Sequence, residues 1–185
     1  MKVLVAFASK HGSTKGIAEF IGEEIREKGL QVDVLQVDQL KNIEHYDAFI
    51  IGSAVYMHHW MKEAIKFVSR NKSILSTRPV WLFSSGPVGK EKKDAKGRDL
   101  LDPLVSGPSE IEDLKKEIKP IDHHIFFGAL DGTKQGFFYR QIRKSPAIRE
   151  ALPEGDFRDW SEIKAWTSEI TRSLEEKIPK ATTVR

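Results

Sequence analysis

Residues 2–8, Lys-Val-Leu-Val-Ala-Phe-Ala, are apolar after the first and show no alternation. Such a run, with β-branched residues in it, predicts a strand buried on both faces, as in a parallel sheet. Ile17, Phe20, Ile21 and Ile25 then recur at spacings of three and four. That spacing predicts an amphipathic helix, with Gly29 where helices commonly stop. Val32, Val34 and Val37 alternate along a second predicted strand at 31–36, and Asp47–Ser53 is a third. Met61, Ala64, Ile65 and Val68 mark a second amphipathic helix, followed by a fourth strand at Pro79–Ser85. Residues 86–108 are dense in Lys, Gly and Pro and predict a long surface loop, with a short helix near Arg98–Leu101. A helix over Glu110–Lys119 and a fifth strand over Ile121–Leu130 follow. Ile163, Trp166, Ile170 and Leu174 share one face of a last helix, for which Asp159 is the expected N-cap. The link between the second and third strands, Asp38 to Tyr46, has room for one turn but not for a crossover helix.

This alternation predicts an α/β fold, a three-layer sandwich around a five-stranded parallel sheet in 2-1-3-4-5 order. In that order ligands bind outside the carboxyl ends of the first, third and fourth strands. The 185 residues suit one domain over residues 1–178, with a frayed tail at 179–185. No run approaches the ~18 apolar residues of a membrane span. The apolar N-terminus passes at once into Ser9, Lys10 and His11, unlike a signal peptide, so the expected location is cytoplasmic.

Two features of composition narrow the chemistry. The chain has no cysteine, which excludes thiol nucleophiles, disulfides and thiolate metal sites. The formal net charge is +3, and residues 131–150 carry all of it: Lys134, Arg140, Arg143, Lys144 and Arg149 stand against Asp131 and Glu150. Phe137, Phe138 and Tyr139 interrupt this basic excursion, which is either solvated surface or a face for an acidic substrate, partner or lipid headgroup. No nucleic-acid-binding motif accompanies it, so no nucleic acid is expected. The adjacent pairs His58-His59 and His123-His124 would point to opposite faces of a strand, and no metal site is expected of them. Trp81, Phe83, Phe126 and Phe127 read as core.

The loops at the predicted binding edge carry the candidate site. Ser9-Lys10-His11-Gly12-Ser13-Thr14 runs from the first strand into the first helix. Gly12 permits a positive φ, so successive backbone N–H groups can curl around an anion beside the helix N-terminus. The same residues also fit an ordinary N-cap at Ser13 or Thr14. No P-loop and no G-x-G-x-x-G fingerprint is present. The third strand ends in Gly52-Ser53-Ala54-Val55-Tyr56-Met57-His58-His59-Trp60 and the fourth in Ser84-Ser85-Gly86-Pro87-Val88-Gly89. Small residues there leave space at the sheet edge, and Tyr56 or Trp60 offers a flat apolar face. Together these loops suit a flat heteroaromatic ligand with one phosphate.

Ser9-Lys-His-Gly12-Ser-Thr14 matches the S/T-x-x-G-x-T form of the first loop in flavodoxin-like FMN-binding proteins, and Gly52 to Tyr56 resembles their third-strand loop. The resemblance covers most of the chain. It implies FMN as cofactor, with its phosphate at Ser9, Lys10, His11, Gly12, Ser13 and Thr14. The flavin ring would then lie between Ala54, Val55, Tyr56, Met57, His58 and Ser84, Ser85, Gly86, Pro87, Val88, Gly89. Phe127-Gly128-Ala129-Leu130, the basic excursion and Asp156-Phe-Arg-Asp-Trp160 resemble the menaquinone-dependent protoporphyrinogen IX dehydrogenases within this group. That implies a quinone-linked FMN oxidoreductase with a redox partner or quinone. Arg140, Arg143 and Arg149 would then face an acidic substrate or a peripheral membrane contact. Flavodoxin carriers are usually acidic, whereas this chain is slightly basic and brings Lys90, Lys92 and Lys93 into the fourth-strand loop. Those cations would favour the anion of the reduced flavin and raise its potential. A flavodoxin-like electron carrier without its own substrate, and a flavin-free domain holding another phosphate, stay open as alternatives.

Overall fold

β1 (Lys2–Ala8) is buried from Val3 onward because a parallel strand flanks it on each side and helices cover both of its faces. The computed structural model describes residues 1–89, 93, 96–102, 107–134, 144–146 and 153–177. Within them the chain runs β1, α1 (Ser13–Glu27), β2 (Gln31–Gln36), β3 (Ala48–Tyr56), β4 (His59–Trp60), α2 (Lys62–Arg70), α3 (Lys72–Leu75) and β5 (Val80–Ser85). It continues with α4 (Ile111–Ile118), β6 (Asp122–Phe126), β7 (Ala129–Leu130), β8 (Gly155–Asp156) and α5 (Trp160–Lys177). The long strands pair in parallel in the order β2-β1-β3-β5-β6, and the two-residue β4 folds back antiparallel on β3. This is the predicted 2-1-3-4-5 sheet, with helices on both faces.

Side-chain alternation divides the core. Val3, Val5 and Phe7 point to the face covered by α1 and α5, where Ile17, Ile21, Ile25, Ile163, Trp166, Ile170 and Leu174 are all buried. Leu4, Ala6 and Ala8 point to the face covered by α2, α3 and α4. The apolar stripes read from the sequence are thus the surfaces the helices bury. Asp159 caps α5 as expected: its Oδ1 accepts the N–H groups of Ser161 and Glu162 at 3.0 and 3.1 Å.

The β2–β3 link contains one 3₁₀ turn, Val37–Gln39, and no α-helix. A helix would satisfy its own carbonyls, so here side chains do that work. Arg70 donates to the Leu40 carbonyl, and Arg78 donates to those of Glu44 and Tyr46. Val37, Leu40, Ile43 and Tyr46 fill the space a helix would cover.

Three expectations are corrected. The third strand does not end at Ser53 but runs on to Tyr56, because Val55 and Tyr56 pair with β4. The fifth strand ends at Phe126 and does not run to Leu130. Beyond it the Gly128 N–H turns to the Pro87 carbonyl, and Ala129–Leu130 pairs with β8. Arg98–Leu101 is a turn and not a helix, because the Asp99 carboxylate accepts the Leu101 N–H and Asp99 bridges Lys93. The tail at 179–185 lies outside the described residues.

Gly52 sits opposite Phe83 on the neighbouring strand, and a Cβ there would come within 2.0 Å of the ring. Phe83 cannot give way, being fully buried against Phe126 and Trp166. Gly52→Ala should therefore cost at least about 2 kcal/mol through overpacking. A urea titration would show a lower midpoint with an unchanged slope; an unchanged midpoint would contradict this packing.

Candidate functional site

The carboxyl ends of β1, β3, β5 and β6 open onto a cavity of about 290 Å³. Ser9, His11, Ser13 and Thr14 line it from the first loop, Ala54, Val55 and Tyr56 from the third strand, and Ser85, Gly86 and Val88 from the fourth-strand loop. Gly128, Ala129 and Leu130 complete the wall. A second cavity of about 410 Å³ adjoins it and shares His11, Ser13, Ala129 and Leu130.

The first loop is built around Gly12, the N-cap of α1, at φ 94°. Neither Ser13 nor Thr14 acts as a capping side chain, so the ordinary N-cap reading fails here. The Ser13 hydroxyl accepts the Ala129 N–H at 2.8 Å and pairs with the Ser85 hydroxyl at 3.1 Å. One oxygen thereby joins three loops. Thr14 Oγ1 is fully buried and has no hydrogen-bond partner among the described residues, although it borders the cavity. A buried hydroxyl without a partner is costly, and one beside a helix N-terminus is placed to meet an anion.

The other predicted residues divide. Lys10 is exposed and Met57 is 91 % exposed; neither lines the cavity, nor do His58, Pro87 or Gly89. Pro87 contributes its carbonyl, which receives the Gly128 N–H at 2.9 Å. Ser84 turns to the opposite face of β5 from Ser85. There its hydroxyl accepts the Trp60 indole N–H at 2.8 Å and meets His123 Nε2 at 2.8 Å. Trp60 is 3 % exposed, so Tyr56, and not Trp60, presents an aromatic ring at the cavity; it stands edge-on to His11 at 6.4 Å. Lys90, Lys92, Arg140, Arg143 and Arg149 lie outside the described residues.

Met57 and His58 form the two-residue turn between β3 and β4, with φ of 52° and 62°. Such turns favour Asn-Gly, so this one is held from outside. His59 Nδ1 lies 2.7 Å from Glu110 Oε1, and the Ser109 N–H donates to the His58 carbonyl. The hydrogen bonds of His59 and of the Trp60 N–H keep the Glu110 carboxyl below its ordinary range even though burial pushes it up.

His123 and His124 face opposite sides of β6, as the sequence implies: His123 meets Ser84, and His124 Nε2 meets Glu162 at 3.1 Å. Burial and the nearby Lys115 push the His123 imidazole down to about 4. The other ring nitrogen, Nδ1, is buried and has no hydrogen-bond partner among the described residues.

Sequence reasoning reads residues 127–130 only as the end of a strand and as a family feature, and misses that Gly128 and Ala129 close the cavity. The signal lies in contacts across 116 positions, Ser13 to Ala129, which no local pattern carries. Arg158 also borders the second cavity, and its side chain holds the Asp156 carboxyl below its ordinary range.

A family model described as the flavodoxin domain matches residues 4–149. The chain is 29 % identical over 177 residues to the protoporphyrinogen IX dehydrogenase [quinone] of Escherichia coli K12, covering 92 % of this chain and 94 % of that protein. Among solved structures it is similar to flavodoxin 1 of Bacillus cereus, with a TM-score of 0.59 at 15 % identity, over 93 % of this chain and 98 % of that one. A flavodoxin from the domain Archaea aligns with a TM-score of 0.56 at 16 % identity, over 95 % and 99 % of the two chains. Among the described residues no helix is long and apolar enough to cross a membrane.

The depressed His123 value makes stability depend on pH with a definite sign. The unfolded chain takes up this proton near 6.5 and the folded chain only near 4. Stability is therefore lost as the pH falls between these values, by up to about 3 kcal/mol. Urea unfolding at pH 7 and pH 4.5 should show a smaller difference in His123→Gln than in the wild type, and equal differences would remove His123 as the cause.

Proposed function

The chain belongs to the flavodoxin domain family, and on that premise we propose that it binds FMN and is a quinone-linked oxidoreductase of the protoporphyrinogen IX dehydrogenase type. The observation that carries the cofactor assignment is the Thr14 hydroxyl, buried without a partner at the N-terminus of α1 and at the wall of the cavity. The residues present fit a flavin mononucleotide. Ser9, Thr14 and the backbone N–H groups around Gly12 would hold its phosphate, aided by the helix dipole. Ala54, Val55, Tyr56, Ser85, Gly86 and Val88 would line the ring, and Gly128 to Leu130 would close it from water. When bound, FMN supplies reversible two-electron redox chemistry.

The substrate assignment rests on the relative that aligns along nearly the whole chain. In this reading Arg140, Arg143 and Arg149 meet the carboxylates of a porphyrinogen or an anionic membrane surface, where an isoprenoid quinone resides. The protein then works in the cytoplasm at the membrane face.

The purified protein should be yellow and should release FMN. Under anaerobic conditions it should form fluorescent protoporphyrin from protoporphyrinogen IX only when a quinone is added. FMN binding without that turnover would leave an electron carrier; a protein that binds no FMN would overturn the assignment altogether. Thr14→Val separates ligand from fold. It should raise the FMN dissociation constant about tenfold or more, since a hydrogen bond to a charged group is lost. It should leave the ligand-free protein at least as stable as the wild type, because this hydroxyl has no partner to lose.

A further inference from the structure

The carboxylate of Glu110 lines neither cavity, yet it grips the hairpin that carries the aromatic ring of the binding edge. Glu110 directly precedes α4, and its side chain is 28 % exposed. Its Oε1 lies 2.7 Å from His59 Nδ1, and its Oε2 accepts the Trp60 N–H at 3.3 Å. An ionised carboxylate only accepts hydrogen bonds, so His59 is the donor. Ser109, one residue earlier, donates its N–H to the His58 carbonyl at 2.9 Å. Two adjacent residues thus hold three consecutive ones, His58, His59 and Trp60.

The ladder carries that hold to the cavity. His59 pairs with Tyr56, and Trp60 with Val55. Tyr56 and Val55 both line the cavity, so the two residues fixed by one carboxylate lie directly across from two residues of its wall.

The base of the hairpin has further anchors. The Trp60 indole N–H rests on Ser84, and the Met61 N–H donates to the Ser53 hydroxyl at 3.0 Å. The turn end is different. Met57 and His58 both hold left-handed backbone without glycine, a conformation that persists only where the surroundings over-determine it. Tyr56, next to that turn, is 44 % exposed and takes little restraint from packing. Burial opposes the charge of Glu110, yet the hydrogen bonds of His59 and of the Trp60 N–H hold the carboxyl below its ordinary range. It is therefore ionised at neutral pH and accepts at both oxygens. A glutamine of the same shape offers one acceptor oxygen where the carboxylate offers two.

We propose that Glu110 is a positioning residue for the flavin site: through the β3–β4 hairpin it fixes the Tyr56 ring where that ring meets the flavin. The proposal rests on the FMN reading and adds to it a residue that touches neither the cavity nor the cofactor. A residue that only supported the fold would weaken FMN binding equally with and without the Tyr56 ring. A residue that acts through the ring loses its effect when the ring is gone.

The test measures FMN dissociation constants by calorimetry for the wild type, Glu110→Gln, Tyr56→Ala and the double variant, all as full-length apoproteins. Glu110→Gln should weaken FMN about fivefold when Tyr56 is present and clearly less in the Tyr56→Ala background. In the ligand-free protein, NMR should show cross-relaxation between the Tyr56 and His11 rings, whose centroids lie 6.4 Å apart, and Glu110→Gln should diminish it. His59→Ala, which removes the same grip from the other side, should repeat both results and serves if Glu110→Gln folds poorly. An equal effect in both backgrounds, no effect in either, or an unaltered ring contact overturns the proposal and leaves the FMN reading intact. If the wild type binds no FMN, that reading falls, and the ring contact in the free protein alone decides whether Glu110 holds Tyr56.

Discussion

The hydroxyl of Ser13 is the contact on which the binding edge depends. A serine at the first position of a helix could have been an ordinary surface residue. Here its oxygen takes the Ala129 N–H and pairs with Ser85, so the starts and ends of three distant segments meet at one atom. Its consequences spread outward. Because Ser13 is engaged inward, the N-cap is left to Gly12, which adopts the left-handed conformation only glycine takes cheaply. Thr14 is drawn into the interior with its hydroxyl uncommitted. The chain after β6 leaves the main sheet early, because Ala129 gives its N–H to the Ser13 side chain and pairs with β8 and not with β5.

What the sequence disclosed, and what it hid, follows from the reach of each interaction. β1 and β3 were legible because burial on both faces leaves continuous apolar runs, and the helices because each buries a stripe that repeats at three and four. The first-loop residues were legible because loop, glycine and helix start are neighbours in the chain. Ser84 and Ser85 look alike in sequence, yet alternation along β5 sends one to a buried Trp60–His123 network and the other to the cavity. Which of the two faces inward depends on β3 and β6, which lie elsewhere in the sequence. In sequence Trp60 looks like an available ring for the same reason: nothing local says that its N–H has a partner in Ser84.

The wall around the cavity is rigid in some places and held under tension in others. Gly52 is small because Phe83 lies against it, so its smallness serves the core and not the ligand. The turn at Met57 and His58 takes two positive φ values without a glycine. Its shape is maintained by Glu110 and Ser109, which stand just ahead of a helix on the far side of the sheet. Tyr56, the ring at the cavity, is the last residue before that turn. Its position is thus set by a carboxylate outside the cavity.

The short ladder between β7 and β8 brings the chain back, at residue 155, to within one strand spacing of where it left at residue 130. The ladder thus ties the two ends of residues 131–154 together. The entropy of closing a loop grows only with the logarithm of its length, about 0.6 kcal/mol for each doubling. Length added between Thr133 and Glu154 therefore costs the sheet little, whereas Asp131, Gly132, Thr133 and Glu154 themselves line the larger cavity. The ladder works as a socket: it separates the cost of what is inserted there from the cost of holding the pocket.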